Sequence, residues 1–213
     1  MFECKLYYTA DMNQKERMLN GLPYRADLDG LPEERCKAQT LCMEYNKTLP
    51  TEQDKRYRIL KELIPDLGNK VIIVPPFQCD YGTNITLGDG VFFNYNCTIL
   101  DVCHITIGHR TLIAPNVCIS AAGHPVHPRT RQSGYEYGAP INIGADVWIG
   151  ANAVICPGIS IGNGTVIGAG SVVTRDISSN VIAAGNPCKI IREITEEDRH
   201  YYFKKNKMDL ADY

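Results

Sequence analysis

Residues 143–173 read IGADVWIGANAVICPGISIGNGTVIGAGSVV, and this stretch decides the fold. Every sixth residue in it is a β-branched aliphatic, and glycine follows most of them. A period of six matches neither the 3.6-residue period of a helix nor the alternation of a long strand. It is typical of a hexapeptide-repeat parallel β-helix, in which short strands wind into coils and one aliphatic side chain per strand points inward. The six inward positions are Ile143, Ile149, Ile155, Ile161, Ile167 and Val173.

The same spacing continues upstream in two registers, separated by two extra residues near 101–103. Glycine and asparagine between the inward positions suit tight corners, because both residues tolerate positive φ. We therefore predict a mainly β protein whose β-helix domain spans residues 69–190. The inward residues are Leu87, Phe93, Ile99 and Ile105 in the first register, and Ile107, Ile113 and Ile119 in the second.

The composition is that of an ordinary globular protein, with 44% hydrophobic and 22% charged residues in a chain of 213. A formal net charge of −2 gives no general attraction to nucleic acid or to anionic membrane, and no apolar run is long enough for a membrane span. The nine cysteines include no CxxC pair, so we expect reduced thiols in the core rather than disulfides or a zinc site. The first residues also lack the basic-then-apolar order of a secretion signal. Together these features predict a cytoplasmic protein.

The first 68 residues predict a helical cap over the open end of the coil, which would otherwise expose strand edges and core. We predict a short helix at 13–21 with Asn13 as its N-cap, and a second helix at 31–45. A third helix opens at Thr51 and stops at Pro65. Its predicted apolar stripe is Tyr57, Leu60, Leu63 and Ile64.

The last segment, residues 191–213, predicts a terminal helix and a tail. Thr195 is its predicted N-cap, and three acidic residues follow it in the first turn, where the helix dipole favours anions. Lys204 and Lys205 are placed toward its end.

The six-residue repeat breaks after Ile119 and resumes at Ile141. The intervening residues contain three prolines, three glycines, two histidines and two arginines, and cannot continue the coil. We predict a loop ejected at about 120–140. A long loop on a rigid framework is the first place to look for function.

Six motifs stand at corners and loops of the predicted coil, at 94–97, 100–103, 123–128, 147–150, 166–174 and 184–189. Together with the flanking helical segments, they resemble the maltose/galactoside O-acetyltransferases, and the resemblance covers nearly the whole chain. It implies a left-handed β-helix, acetyl-CoA as donor and a sugar hydroxyl as acceptor. It also implies a homotrimer with active sites at the subunit interfaces.

Acetyl transfer to a hydroxyl needs a base, and a neutral histidine near its pKa suits that task. His124 is the candidate: it lies in the ejected loop after Gly123, and it matches the catalytic histidine of the family. His127, three residues on, leaves open a metal site of the kind used by a metal-dependent hydratase, but no third ligand is evident, so we expect no metal. His104, His109 and His200 are expected to be solvated.

For the acceptor, the resemblance implies polar groups before and within the loop that can hold sugar hydroxyls. Several of these have an equally good structural interpretation, as turn-forming residues or solvated charges, above all Asp101, Glu136 and Arg35. The predicted acceptor-binding residues are Asp80, Asn94, Asp101, Glu136 and Arg35.

For acetyl-CoA, the pantetheine arm is expected to lie along the coil where small side chains leave room, and its phosphates need cations. The alternative for the basic residues is a solvated edge. Trp148, the single tryptophan, is expected on the outer surface beside the histidine. The predicted acetyl-CoA-binding residues are Trp148, Ala151, Ala169, Thr174, Arg175, Lys189 and Arg192.

The chain departs from the galactoside-type pattern at Phe92, Val102 and Glu136, where tyrosine, aspartate and methionine are expected. These departures favour a maltose-type member and leave the acceptor open. An amine of an amino sugar or antibiotic is one alternative, and a non-catalytic β-helix assembly module is another.

Overall fold

The computed structural model describes residues 11–210, and its centre is a triangular parallel β-helix of about six turns. The three faces are numbered in the order in which the chain first visits them. The first face contains β2 (Asp66–Leu67), β5 (Ile85–Leu87), β8 (Ile105–Ile107), β13 (Ile141–Ile143) and β16 (Ser160–Ile161). The second contains β3 (Ile72–Ile73), β6 (Phe92–Phe93), β9 (Leu112–Ile113), β14 (Trp148–Ile149), β17 (Val166–Ile167) and β19 (Val181–Ala184), with β20 (Lys189–Glu193) added antiparallel. The third contains β4 (Phe77–Cys79), β7 (Cys97–Leu100), β10 (Cys118–Ser120), β15 (Val154–Ile155) and β18 (Val172–Val173).

The inward side chains stack in register from coil to coil, as the six-residue period predicts. All six positions from Ile143 to Val173 are buried, and so are the seven upstream positions. The edge between the first and second faces is tightly packed: a Cβ added to Gly108 would lie 2.5 Å from the amide nitrogen of Ala145. Only glycine fits where successive backbones approach so closely. The parallel β-helix is therefore confirmed.

The predicted two-residue slip is also present. Early coils advance by 20 residues, since Leu67 pairs with Leu87 and Leu87 with Ile107. Later coils advance by 18, as from Ile143 to Ile161. The extra residues lie between the third and first faces, which we call the third edge. The coil begins at β2, slightly before the predicted boundary at residue 69, because the strand follows Pro65 directly.

The faces differ in the side chains that they present outward. The first face is polar, and the third is mixed. The second carries an apolar row in register, in which Trp148 is 54% exposed and Leu112 49% exposed. This row consists of Ile72, Phe92, Leu112, Trp148, Val166 and Ile182.

The cap consists of α1 (Gln14–Leu19), β1 (Tyr24–Arg25), α2 (Leu31–Asn46) and α3 (Gln53–Leu63). The predicted cap at Asn13 is confirmed, with reciprocal hydrogen bonds to Glu16. The third helix begins one residue later than predicted, with Glu52 rather than Thr51 as N-cap. Tyr57 was wrongly placed on its buried face and is 56% exposed; Ile59 is buried instead, because α3 packs against both α2 and β2.

The end of the chain corrects another prediction. Thr195 does cap a helix, but it is a 3-10 helix (Glu196–His200), and it ends before Lys204 and Lys205. A short antiparallel pair follows, β21 (Tyr201–Phe203) and β22 (Asn206–Lys207). Three consecutive aromatics favour a strand, and Lys204 adopts a positive φ of 52° in the turn.

The eight cysteines within residues 11–210 are all free thiols, and the Sγ atoms of Cys42 and Cys79 lie 3.7 Å apart where the cap meets the coil. No helix in this part of the chain is long and apolar enough to cross a membrane.

Candidate active site

The ejected loop is a folded substructure rather than an irregular excursion. It leaves the coil after β10 on the third face, returns at β13 on the first, and therefore stands at the third edge. It contains β11 (Ala122–Gly123), α4 (Pro128–Gln132) and β12 (Tyr135–Gly138). The strand β12 pairs with both β11 and β1, so that the loop and the cap form one three-stranded sheet.

His124 follows β11 directly and is exposed. The backbone before it is held closely: a Cβ added to Gly123 would lie 2.4 Å from the Tyr137 ring. Glycine therefore allows Tyr137 to pack on the chain just before the histidine. His127 lies at the start of α4 and is also exposed.

Two predicted acceptor residues lie on the same edge as the loop. Asp80 and Tyr81 form the corner after β4, and Asp101 forms the corner after β7. Asp101 Oδ1 accepts hydrogen bonds from the amides of Asp80 and Tyr81, each 2.9 Å long. Asp101 itself is 0% exposed, so it has no free surface for a ligand. The geometry supports the interpretation of Asp101 as a turn-forming residue that presents Asp80.

The cap and the loop bring two further predicted residues to this corner. Arg35 on α2 donates from Nη1 to the Tyr81 hydroxyl at 3.1 Å and to the carbonyl oxygen of Ala26 at 3.3 Å. Glu136 on β12 accepts a hydrogen bond from the Tyr24 hydroxyl at 3.1 Å. Residues of the coil, of the cap and of the ejected loop thus converge at the third edge.

The carboxylates of this group influence each other. Burial, with Asp101 and Glu136 nearby, raises the pKa of Asp80 to about 6, although Arg35 acts in the opposite direction. Burial also raises the pKa of Asp101, against the hydrogen bonds from backbone amides that favour its ionised form. Three acidic side chains therefore share a partly desolvated corner with one guanidinium.

The other acceptor residue, Asn94, does not join this group within one chain. It lies at the second edge, between the second and third faces, where its Oδ1 accepts from the amide of Tyr95. Ala151 and Ala169 lie at the same edge in later coils, and the Ala151 carbonyl accepts from the amide of Gly170. Lys189 is exposed beside them, opposite Ala184.

The remaining predicted acetyl-CoA residues are divided between locations. Trp148 stands on the outer second face, as predicted. Thr174 and Arg175 are exposed at the third edge, in a later coil than the loop, whereas Ala151 lies at the second edge. The guanidinium of Arg192 forms a two-point ion pair with Asp198, with both distances 2.7 Å, so a phosphate would have to compete for it.

The other histidines match their predicted places, since His104, His109 and His200 are all exposed. Within residues 11–210, no group of three or more histidine, cysteine, aspartate or glutamate side chains is arranged to hold a metal ion.

Sequence reasoning missed two residues of the third-edge group, Tyr24 and Tyr81. Tyr24 lies in a two-residue strand whose partner is more than a hundred positions away, and no local pattern marks such a pairing. Tyr81 follows Asp80 in an extended corner, and the departure from the repeat there was a usable signal.

The fold and this arrangement define the class of the protein, a hexapeptide-repeat transferase. Residues 140–175 match the family model for bacterial transferase hexapeptide (six repeats), and residues 17–68 match the maltose acetyltransferase hexapeptide capping motif. The chain is 46% identical over 201 residues to the galactoside O-acetyltransferase of Escherichia coli (strain K12), with 94% of this chain and 99% of that protein covered. The chain belongs to the maltose/galactoside O-acetyltransferase family.

Two solved structures are similar over nearly their full length. A maltose O-acetyltransferase from Clostridium difficile 630 has a TM-score of 0.85 at 47% identity, and the match covers 87% of this chain and 99% of that one. A galactoside acetyltransferase in complex with coenzyme A has a TM-score of 0.91 at 46% identity, and the match covers 94% and 100%. The family and fold predicted from the sequence are thereby confirmed.

Proposed function

We propose that the chain is an acetyl-CoA-dependent sugar O-acetyltransferase in which His124 is the general base. Membership of the family supports the reaction class. The observation that carries the assignment of residues is the sheet β1–β12–β11, which places His124 directly after a strand that is tied to the Glu136 strand. The strand before His124 and the strand that carries Glu136 are thus neighbours in one sheet at the third edge.

In the proposed reaction, an imidazole nitrogen of His124 takes the proton of the acceptor hydroxyl as its oxygen attacks the thioester carbonyl. The tetrahedral oxyanion collapses, the C–S bond breaks, and the leaving thiolate recovers the proton from the imidazolium. No acyl-enzyme forms. Asp80 and Glu136 hold neighbouring acceptor hydroxyls, so that the attacking oxygen is held in line. No metal is required in this scheme.

The second edge fits the donor. A Cβ added to Gly150 would lie 2.5 Å from the amide nitrogen of Ala169, so this edge is built from small residues in close contact. A pantetheine arm can run along it and hydrogen bond to the backbone near Ala151 and Ala169. Lys189 is the cation nearest to this edge among the predicted contacts, and Trp148 borders it on the second face. The coenzyme A complex of a relative 46% identical supports a coenzyme A site in this chain.

The division of the site supports a homotrimer with active sites at subunit interfaces. The proposed base and acceptor carboxylates lie at the third edge, whereas Asn94, Ala151 and Ala169 lie at the second. A third edge of one copy facing a second edge of another would complete the site. The exposed apolar row of the second face supports this arrangement, because monomeric proteins rarely expose a long apolar surface. The free thiols support a cytoplasmic location.

A second candidate acceptor is an amino sugar. Two carboxylates, Asp80 and Glu136, share the corner with one guanidinium, that of Arg35, and this excess of negative charge favours a cationic acceptor. Product analysis after incubation with a panel of neutral sugars and amino sugars separates an ester from an amide.

The test of the mechanism is His124→Ala, with His127→Ala as the matched control in the same loop. We expect the first variant to lower kcat by ~10²–10⁴ while calorimetric binding of CoA persists. The control should remain near the wild type. Unaltered turnover in His124→Ala would rule out the base. Failure of the wild type to bind CoA would instead favour a non-catalytic assembly module.

A further inference from the structure

We propose that Tyr24 is a positioning residue for the acceptor: its hydroxyl fixes the Glu136 carboxylate, and Tyr81 and Arg35 anchor its strand to the coil. This inference rests on the proposed function, because it takes Glu136 to face the acceptor. It gives a second residue of the helical cap, besides the predicted Arg35, a part in acceptor recognition.

The contact between the two side chains is defined by the backbone. Tyr24 and Glu136 are directly opposite each other in the antiparallel β1–β12 pair, so their side chains project to the same side of the sheet. Tyr24 is 0% exposed, and its hydroxyl donates to Glu136 Oε2 at 3.1 Å. A buried phenol needs such a partner. Within residues 11–210 the structure gives the other oxygen, Oε1, no hydrogen bond, so Oε1 can accept from a ligand hydroxyl.

The strand that carries Tyr24 is fixed to the coil through Arg35. The guanidinium reaches the carbonyl oxygen of Ala26, one residue after β1, and the Tyr81 hydroxyl. The Tyr81 amide is in turn held by the buried Asp101 carboxylate. These hydrogen bonds connect the coil corner that presents Asp80 to the strand that orients Glu136. Two carboxylates on different segments are thereby held in a defined relation.

The Tyr24 hydroxyl remains a donor over the working pH range. Burial and the neighbouring Glu136 carboxylate both raise the pKa of Tyr24, so the phenol stays protonated. A phenylalanine would fill the same space and leave the carboxylate without its donor.

The test compares Tyr24→Phe, Glu136→Gln and the double variant, with Tyr57→Phe as the control because Tyr57 is exposed on α3. We expect Tyr24→Phe to raise KM for the acceptor by about 10-fold, as for a lost hydrogen bond to a charged group, with KM for acetyl-CoA unaltered. The double variant should be no worse than Glu136→Gln alone, because the two residues act as one unit. An unaltered acceptor KM, or an equal loss of kcat for all acceptors together with a lower Tm, would overturn the positioning role.

A crystal structure of Tyr24→Phe provides a readout that does not depend on turnover. We expect the Glu136 carboxylate to leave its wild-type position while the β1–β12 pairing is kept. A carboxylate that stays in place contradicts the inference. The absence of wild-type turnover on every sugar and amine tested would contradict the proposed function, so the two failures are distinguishable.

Discussion

Replacing Asp101 tests whether the corner of the third edge depends on one buried carboxylate. In Asp101→Ala, the amides of Asp80 and Tyr81 lose their acceptor, and both hydrogen bonds are 2.9 Å long in the wild type. Each such bond contributes roughly 1.5 kcal/mol, so we expect the free energy of unfolding to fall by about 3 kcal/mol. For a domain of this size, that loss lowers Tm by roughly 6–12 °C.

Asp101→Asn is the matched control. Its amide oxygen can still accept from both backbone amides, while its amide group takes the place of Oδ2, which is buried without a hydrogen-bond partner in the described part of the chain. We expect this variant to unfold within about 1 kcal/mol of the wild type at neutral pH. Calorimetry at one fixed protein concentration provides the comparison, because the proposed subunit association would make stability depend on concentration. If Asp101→Ala unfolds within about 1 kcal/mol of the wild type, the two hydrogen bonds do not stabilise the corner as argued.

The pH dependence gives the same prediction a second check. Burial raises the pKa of Asp101 in the folded chain above its value in the unfolded chain. Stability from this group is therefore fully present below the unfolded pKa and is lost as pH rises through the folded pKa. The Asn variant lacks this loss. We expect its stability relative to the wild type to improve as pH rises, and a constant difference would contradict the raised pKa.

Three further predictions concern the proposed function. Because the pKa of Asp80 is raised to about 6, the dissociation constant for the acceptor should fall as pH rises through that region and Asp80 ionises, and Asp80→Asn should lack this change in binding. Lys189→Ala should raise KM for acetyl-CoA several-fold with little change in kcat. It should also reduce the preference for CoA over dephospho-CoA, and an unchanged preference would exclude a contact between Lys189 and the 3′-phosphate. Leu112→Lys places a charge in the apolar row and should shift sedimentation toward the monomer. Thr106→Lys, on the polar first face, should sediment like the wild type. If both variants sediment like the wild type, the second face is not the interface.

Periodicity is what made the coil predictable from the sequence. Each inward position repeats the same local requirement, so Ile149 or Ile167 can be assigned without knowing any distant partner. The capping box at Asn13 was predictable for the same reason, since its two hydrogen bonds span three residues. The terminal hairpin was missed because an acidic first turn after Thr195 indicates where a helix starts but not where it ends. The three aromatic residues that follow the short helix favour a strand, and they end the helix early.

The candidate site was predictable only where residues belong to motifs. His124 and Asp80 could be assigned from the family resemblance. The sequence did not show that these two residues lie on a different edge of the coil from Asn94. Which edge a residue occupies depends on the accumulated register, including the two extra residues in each early coil. Tyr24 was outside the reach of sequence reasoning, because its partner Glu136 is brought near only by folding of both the cap and the loop.

The departures from the regular repeat all fall on one edge of the coil, and this coincidence is itself an argument about function. From the third face to the first, the regular step from Ile155 to Ile161 takes six residues, whereas the early steps from Cys79 to Leu87 and from Ile99 to Ile107 take eight. The ejected loop lies in the step between Ile119 and Ile143. Regular hexapeptides would fold more simply at all three places. The longer corners place acidic side chains in partly desolvated positions and leave one oxygen of Asp101 without a hydrogen-bond partner among residues 11–210. Both features lower the stability of the fold. Places where a chain breaks its own local rules at such a cost are expected at functional sites, and here the two longer corners lie on the same edge as the third departure, the histidine loop.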